Sequence, residues 1–214
     1  MPKTSPSKAY LRFEGVVRRS LNILTLQSAV ANIWQVTTPE TTLDLSDMGR
    51  AAVVLAVAAM DSYFTDVFVE RLVPFIKKKG ATKDLVKLLG EAGLDTECAL
   101  QLIVLKSPFR KIRRLVESHL DKMTTQKFEV IDKLFGIYHF KDFTSSIAKY
   151  SKKGDRLLIS IRKLVQRRHM IVHEGDVNSH GQPREADPAE FQRRIGALIL
   201  FVSKADELLH KQLR

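Results

Sequence analysis

The segment AAVVLAVAAMDSYFTDVFVERL, residues 51–72, decides the fold, because its first ten residues are all apolar. A helix that is apolar on every side has to be enclosed by other elements of the protein or by lipid. Ten residues are about half the length that spans a bilayer. We therefore predict a helix that lies in the core of a soluble bundle.

The sequence on both sides of this segment also favours helix, and no strand pattern competes with it. We predict an all-α fold, a helical bundle with a core of long antiparallel helices, that forms a single domain over residues 1–214 with its core at about 46–213. The central helix extends over 46–78 and ends at KKKG. The predicted helix over 8–35, ended by TTPETT, packs on this core. The other predicted helices cover 82–92, 95–105, 108–121, 126–135, 141–150, 155–173 and a last stretch opened by DPAE at 187–190.

Local signals mark several helix ends. Ser107 precedes Pro108 as a cap, Asp155 caps the helix over 155–173, and Gly175 stands just past the end of that helix. The sequence DPAE supplies a cap, a proline and a capping-box glutamate, Glu190. We expect the helix over 155–173 to pack beside the central helix.

Charge and cysteine content restrict the function classes. The formal net charge is +11, with basic stretches at 106–114 and 149–168, and an excess of this size attracts polyanions such as nucleic acid. The single cysteine, Cys98, excludes an internal disulfide and a cysteine-based zinc site. The start MPKTSPSKAY has no apolar core of signal-peptide length, so we expect a cytoplasmic protein without a membrane partner. Glycine-rich phosphate loops are absent, and we expect no cofactor.

Two charged residues occupy apolar stripe positions. Arg168 falls on the stripe that Leu157, Ile161 and Leu164 define, and Asp61 interrupts the stripe of the central helix. A buried charge without a partner costs several kcal/mol, so Arg168 has to find a partner or lie in a polar cavity. We therefore expect Asp61 to pair with Arg168 or with a histidine near it. Such a pair would belong to a functional site or would simply tie two helices together.

The sequence RRHMIVHEGD, residues 167–176, supplies proton chemistry at the end of the same helix. His169 and His173 are four residues apart and share a helix face. Arg168 and His173 are five apart, about 140° around an ideal helix, so they would not point at one small target in a rigid helix. A relaxed helix end, or two copies that meet across a two-fold axis, would solve this problem. Arg167 and Glu174 are expected to be surface charges.

These side chains fit metal-independent cleavage of RNA. An imidazole moves protons near neutral pH, and the arginine fork matches phosphate oxygens. A zinc site is the alternative, since HMIVHE contains H-x-x-x-H, but the zincin pattern H-E-x-x-H has its glutamate between the histidines. No G-x-S-x-G sequence supports a serine nucleophile.

RRHMIVHEGD resembles the signature of the HEPN superfamily, an arginine, a polar residue, three further residues and a histidine. Here these are Arg168, His169, residues 170–172 and His173. The aliphatic pair at 171–172 and the HEGD at 173–176 resemble the corresponding sequence of the RiboL-PSP-HEPN subset. The segment 51–72 is similar to the earlier core helix of that family and maps its acidic position onto Asp61, with a weaker similarity over 123–136. The sequence departs from the common pattern at His169, where asparagine or aspartate is frequent.

The resemblance implies a dimeric α-helical bundle whose two motifs meet at the interface. It implies an endoribonuclease that leaves 2′,3′-cyclic phosphate and 5′-hydroxyl ends, in a toxin–antitoxin or phage-defence setting with an antitoxin or regulatory partner. The expected catalytic residues are Arg168, His173, His169 and Asp61, with no metal. The residues expected to bind the RNA backbone are Arg167, Lys163, Arg113 and Arg114. The alternative is an inactive HEPN dimer that binds protein or nucleic acid.

Overall fold

The computed structural model describes residues 5–37 and 44–213, so TTPETT lies outside the described residues beyond Thr37. The described residues form nine α-helices and no strand; one isolated antiparallel bridge joins Val177 to Pro183. The predicted all-α bundle is confirmed. In chain order the helices are α1 (Lys8–Thr37), α2 (Ser46–Lys79), α3 (Lys83–Glu91), α4 (Thr96–Ile103), α5 (Pro108–Leu120), α6 (Phe128–Gly136), α7 (Phe143–Tyr150), α8 (Asp155–Glu174) and α9 (Pro188–Gln212).

Helices α1 and α2 lie antiparallel along most of their length. The backbone N–H of Ala9 donates to Glu70 near the end of α2, and the Ser20 hydroxyl donates to the carbonyl of Ala52 near its start. Residues that ascend along α1 therefore meet residues that descend along α2. This pairing packs α1 against the core helix α2.

Helices α8 and α9 complete the set of long core helices. Asp176, just beyond α8, binds Arg50 at the start of α2, so α8 ends where α2 begins. Helix α9 follows the direction of α2, because Phe191 approaches Gly49 and Asp206 accepts a hydrogen bond from Tyr63. The expected packing of α8 beside α2 is confirmed.

Helix α2 is enclosed by its neighbours as its apolar sequence predicts. It packs against α1, α5, α6, α8 and α9. An 18-residue window within it has a mean hydropathy of 1.6, enough for a membrane span, but 61% of that window is buried within the fold. Edge-on aromatic contacts link Phe64 to both Phe135 and Phe201, which joins α2 to α6 and α9. The apolar surface of α2 thus stabilises the bundle itself.

Two of the predicted helix caps are wrong in detail. The residue before α8 is Gly154, with φ of 56°, and Asp155 is the first helical residue. Asp187 does cap α9, but its carboxylate accepts from the N–H of Ala189, two residues on, and Glu190 pairs with Arg194 and Arg193. Ser107 precedes α5 without a hydrogen bond from its side chain, whereas Gly175 ends α8 as predicted.

Candidate active-site cleft

A cleft of about 600 Å³ separates the solvent face of α8 from the chain that joins α5 to α6. Both histidines of the sequence motif and Arg168 line it. The opposite wall comes from the 124–129 segment, which continues into α6. The lining residues are Thr124, Gln126, Lys127, Phe128, Glu129, Arg162, Val165, Gln166, Arg168, His169 and His173.

The two imidazoles lie together on the wall of this cleft. The ring centroids of His169 and His173 are 4.6 Å apart and the ring planes are inclined by 41°, as the four-residue spacing predicts. Both side chains are exposed to solvent. Two groups that can accept and donate protons are therefore presented side by side by a single chain.

Arg168 lines the same cleft as both histidines. An offset of about 140° between Cβ directions does not separate side chains that end in one wide cleft. Arg168 is half-buried, and its Nε is buried without a hydrogen-bond partner among the described residues. The apolar stripe of α8 ends before Val172, which is 47% exposed. Arg168 thus lies in a polar cavity rather than in an ion pair.

Asp61 does not pair with Arg168 or with a histidine, and that prediction is wrong. Its Oδ1 accepts from the backbone N–H of Thr125 at 2.7 Å, and the Thr125 hydroxyl lies 2.6 Å from the same oxygen. Its Oδ2 accepts from Nε2 of Gln126 at 2.9 Å. Both oxygens of the carboxylate are therefore occupied by the segment that forms the far wall of the cleft.

The role of Asp61 is thus to hold the cleft wall in position. Thr125 is fully buried against α2, and its hydroxyl also lies 2.8 Å from the Asp61 carbonyl oxygen. Hydrogen bonds to an ionised carboxylate are stronger than those between neutral groups. The neighbours Thr124 and Gln126 both line the cleft, so the bonds to Asp61 determine where this wall stands relative to α8.

A buried ion cluster secures the end of α8. Asp176 is fully buried, and its Oδ2 accepts from Nε of Arg50 at 2.7 Å and from a terminal nitrogen of Arg167 at 2.8 Å. Gly175 and Asp176 both have left-handed backbone, with φ of 65° and 57°. The N–H of Asp176 donates to the carbonyl of Met170, which closes the helix end that carries His173.

Arg167 is a member of this cluster and not the surface charge that the sequence predicted. Its side chain is 16% exposed. The guanidinium also donates to the carbonyl of Glu185 at 2.6 Å and lies 5.5 Å from the ring centre of Phe191. Arg167 does not line the cleft, so the structure does not support the predicted contact between Arg167 and RNA there. Glu174 is exposed, as predicted.

Arg50 and Asp176 are the positioning residues that sequence reasoning missed. Burial opposes the charge of Arg50, but hydrogen bonds to Asp176 and Asp47 outweigh it, so the pKa of Arg50 is raised. Arg50 directly precedes the apolar run and is 8% exposed, and an arginine beside a buried segment was the available signal. Asp176 gave a weaker signal, because an aspartate after a glycine is also common in exposed turns.

The other residues predicted to bind RNA lie away from the cleft lining. Lys163 lines a separate groove between α8 and α9, together with Arg156 and Arg193. Arg113 and Arg114 are exposed on α5, which leads into the cleft wall. Two cleft cations were not singled out from the sequence: Lys127, and Arg162, whose guanidinium lies 5.1 Å from the ring centre of Phe128.

The cleft therefore combines two imidazoles, three cationic groups and amide, hydroxyl and carboxylate groups on its far wall. Such a set can bind a phosphodiester and move protons on either side of it. Within residues 5–37 and 44–213, no group of three or more histidine, cysteine or acidic side chains is arranged to hold a metal ion. His169 and His173 thus have no third candidate ligand in that part of the chain.

Comparison with known families finds a match. The RiboL-PSP-HEPN family model matches residues 22–211, which include α2, the cleft wall and the whole of α8. Comparisons with curated proteins and with solved structures returned no match. The match covers most of the chain and includes both segments that carry the sequence resemblance, and the chain therefore belongs to the RiboL-PSP-HEPN family of the HEPN superfamily.

Proposed function

We propose that this protein is a metal-independent endoribonuclease that cleaves RNA at the α8 cleft. The observation that carries the proposal is the presence of Arg168, His169 and His173 in one cleft. The net charge of +11 supports a polyanionic substrate. Family membership favours a role connected with RNA.

In the proposed reaction the 2′-hydroxyl oxygen attacks the adjacent phosphorus. One imidazole accepts the 2′-hydroxyl proton while the bond from phosphorus to the 5′-oxygen breaks. A protonated imidazole donates to the leaving 5′-oxygen. The products are a 2′,3′-cyclic phosphate and a 5′-hydroxyl, and no external reactant is consumed. Arg168 stabilises the charge that develops on the phosphoryl oxygens.

The contact between His169 and His173 supports a division of these two proton transfers between neighbouring rings. At a centroid separation of 4.6 Å, both rings can reach oxygens of the same phosphodiester. His169 stands where the family pattern frequently has asparagine or aspartate. We therefore propose that His169 is a second proton-transfer residue and that His173 is the first.

The test is RNA cleavage in the presence of EDTA by wild type and by Arg168→Ala, His169→Ala and His173→Ala. Removal of a proton-transfer group is expected to lower the rate by about 10²- to 10⁴-fold. His180→Ala is the matched control, because His180 is exposed in the loop after α8 and does not line the cleft. Wild-type cleavage rates in both His173→Ala and Arg168→Ala would refute the assignment. Activity that is lost with EDTA and restored by zinc would replace it with a metal mechanism.

We also propose that two copies associate so that their clefts adjoin. Family membership supports this association, because HEPN domains often act as dimers. Mixing the inactive His173→Ala and Arg168→Ala chains separates the two arrangements. Restored activity in the mixture would show that one site uses residues of both chains. No restoration, in a mixture shown to exchange subunits, would show that each cleft works alone.

A second candidate function is a non-catalytic module that binds protein or nucleic acid. The observation that favours it is the engagement of Asp61 with Thr125 and Gln126, which leaves neither imidazole bonded to a carboxylate among the described residues. Absence of RNA cleavage by wild type, with retained RNA binding, would support this function. If cleavage is found, we propose a toxin or phage-defence role in the cytoplasm, held in check by an antitoxin or regulatory protein. Growth arrest on expression, relieved by His173→Ala, would support that role.

A further inference from the structure

The far wall of the cleft carries an amide whose orientation is fixed. Nε2 of Gln126 donates to Oδ2 of Asp61 at 2.9 Å, and an ionised carboxylate can only accept hydrogen bonds. The nitrogen of the amide must therefore face Asp61. The amide oxygen has no donor among the described residues, and the side chain lines the cleft.

The carboxylate that fixes this amide is itself held firmly. Oδ1 of Asp61 accepts from the Thr125 N–H, a backbone group that cannot change its character as a donor. Thr125 is fully buried, so the arrangement does not depend on exposed side chains. Asp61 thus acts as a positioning residue that imposes one polarity on the Gln126 amide.

We propose that Gln126 is a base-recognition residue, and that its amide oxygen accepts a hydrogen bond from the amino group of a base in the bound RNA. This rests on the proposed ribonuclease function. Single-stranded bases are read through their exposed edges. Adenine and cytosine present an amino donor where guanine and uracil present a carbonyl acceptor. A fixed acceptor in the cleft therefore favours adenine and cytosine at the contacted position.

Replacement of Asp61 by asparagine should reverse this preference. In Asp61→Asn the side-chain oxygen has to face the Thr125 N–H, so the new amide nitrogen takes the place of Oδ2. That nitrogen donates to Gln126, whose amide must turn to present its oxygen. The NH₂ group of Gln126 then projects into the cleft and favours guanine and uracil. The substitution keeps the size and shape of the Asp61 side chain. A displacement of the cleft wall alone would weaken a base preference and would not invert it.

The experiment compares wild type, Asp61→Asn and Gln126→Leu on a random-sequence RNA, with the cut sites read by sequencing. Wild type is expected to prefer adenine and cytosine at one position near the cut by on the order of tenfold. Asp61→Asn is expected to prefer guanine and uracil there, and Gln126→Leu to show no preference. Identical base profiles for all three chains would overturn the proposal while cleavage itself stands.

A binding measurement keeps the inference testable if no chain cleaves RNA. Fluorescence anisotropy with the hexanucleotides A₆, C₆ and U₆ uses the His173→Ala background, which prevents turnover. The proposal predicts tighter binding of A₆ and C₆ than of U₆, and the reverse order when Asp61→Asn is added. The same order of affinities with and without Asp61→Asn would overturn it, whereas an inverted order without any cleavage would refute only the nuclease function. Should Asp61→Asn fail to fold, loss of the preference in Gln126→Leu supports the proposal and its retention overturns it.

Discussion

Replacement of Asp176 by alanine should destabilise the fold strongly, because two arginines depend on its buried carboxylate. Arg50 and Arg167 have side chains that are 9% and 16% exposed, and both bind the same oxygen of Asp176. Removal of one partner from a buried ion pair costs about 3–5 kcal/mol. Arg50 keeps its contacts with Asp47 and with the Arg184 carbonyl. We therefore expect the lower end of this range, about 3 kcal/mol.

A loss of this size lowers the melting temperature by about 6–12 °C in a domain of this length. Urea unfolding followed by circular dichroism measures the free energy of unfolding directly. The matched control is Asp47→Ala, because Asp47 pairs with the same Arg50 but its side chain is 97% exposed. Exposed pairs contribute little, so this control should unfold at nearly the wild-type urea concentration. Equal midpoints for the Asp176 and Asp47 variants would refute the assignment of the buried pair as the clamp on α8.

Three further predictions concern the helix end, the core and the cleft. Gly175→Ala should lower the free energy of unfolding by about 1–2 kcal/mol, because the φ of 65° lies in the left-handed region that alanine disfavours. An added Cβ would meet no atom within 4 Å, so this cost comes from backbone strain alone, and an unchanged urea midpoint would contradict it. The buried Tyr138 hydroxyl donates to the Phe68 carbonyl at 2.6 Å, and burial raises the pKa of Tyr138 well above its usual value. Tyr138→Phe should therefore cost about 1 kcal/mol by thermal unfolding, and no loss would argue against this bond. Arg162→Ala should weaken RNA binding more than Lys163→Ala in a salt titration, because only Arg162 lines the cleft, and the opposite order would place the RNA in the α8–α9 groove.

The fold was largely predictable from sequence because helix patterns are local. The all-apolar run in α2, the stripe of α8 and the proline that opens α9 each depend on neighbours within a few residues. Errors arose at helix ends, where Gly154 displaced the expected cap Asp155. Capping depends on the backbone angles of one residue, and propensity alone does not decide them.

The side chains of α8 that line the candidate site were predictable from the sequence, but the residues that they would bind were not. The spacing of His169 and His173 placed both rings on one face, and the structure confirms their contact. Arg168 was correctly identified as a charge that could not sit in a dry core. Its proposed partner Asp61 was wrong, because the stripe position of a charge shows that it needs a partner and does not show which residue supplies it.

The sequence by itself determined the helical bundle, the buried position of α2 and the pairing of imidazoles on α8, since all of these follow from periodicity along one helix. Only the tertiary structure decided which charges meet. Asp61 binds a segment 64 residues away in sequence, and Arg50 binds Asp176 at a separation of 126 residues. Such contacts depend on how the helices pack against one another, and the packing also turned Arg167 inward while it left Arg168 facing the cleft. Two adjacent arginines with the same local sequence preference thus acquired different roles through the neighbours that the fold gave them.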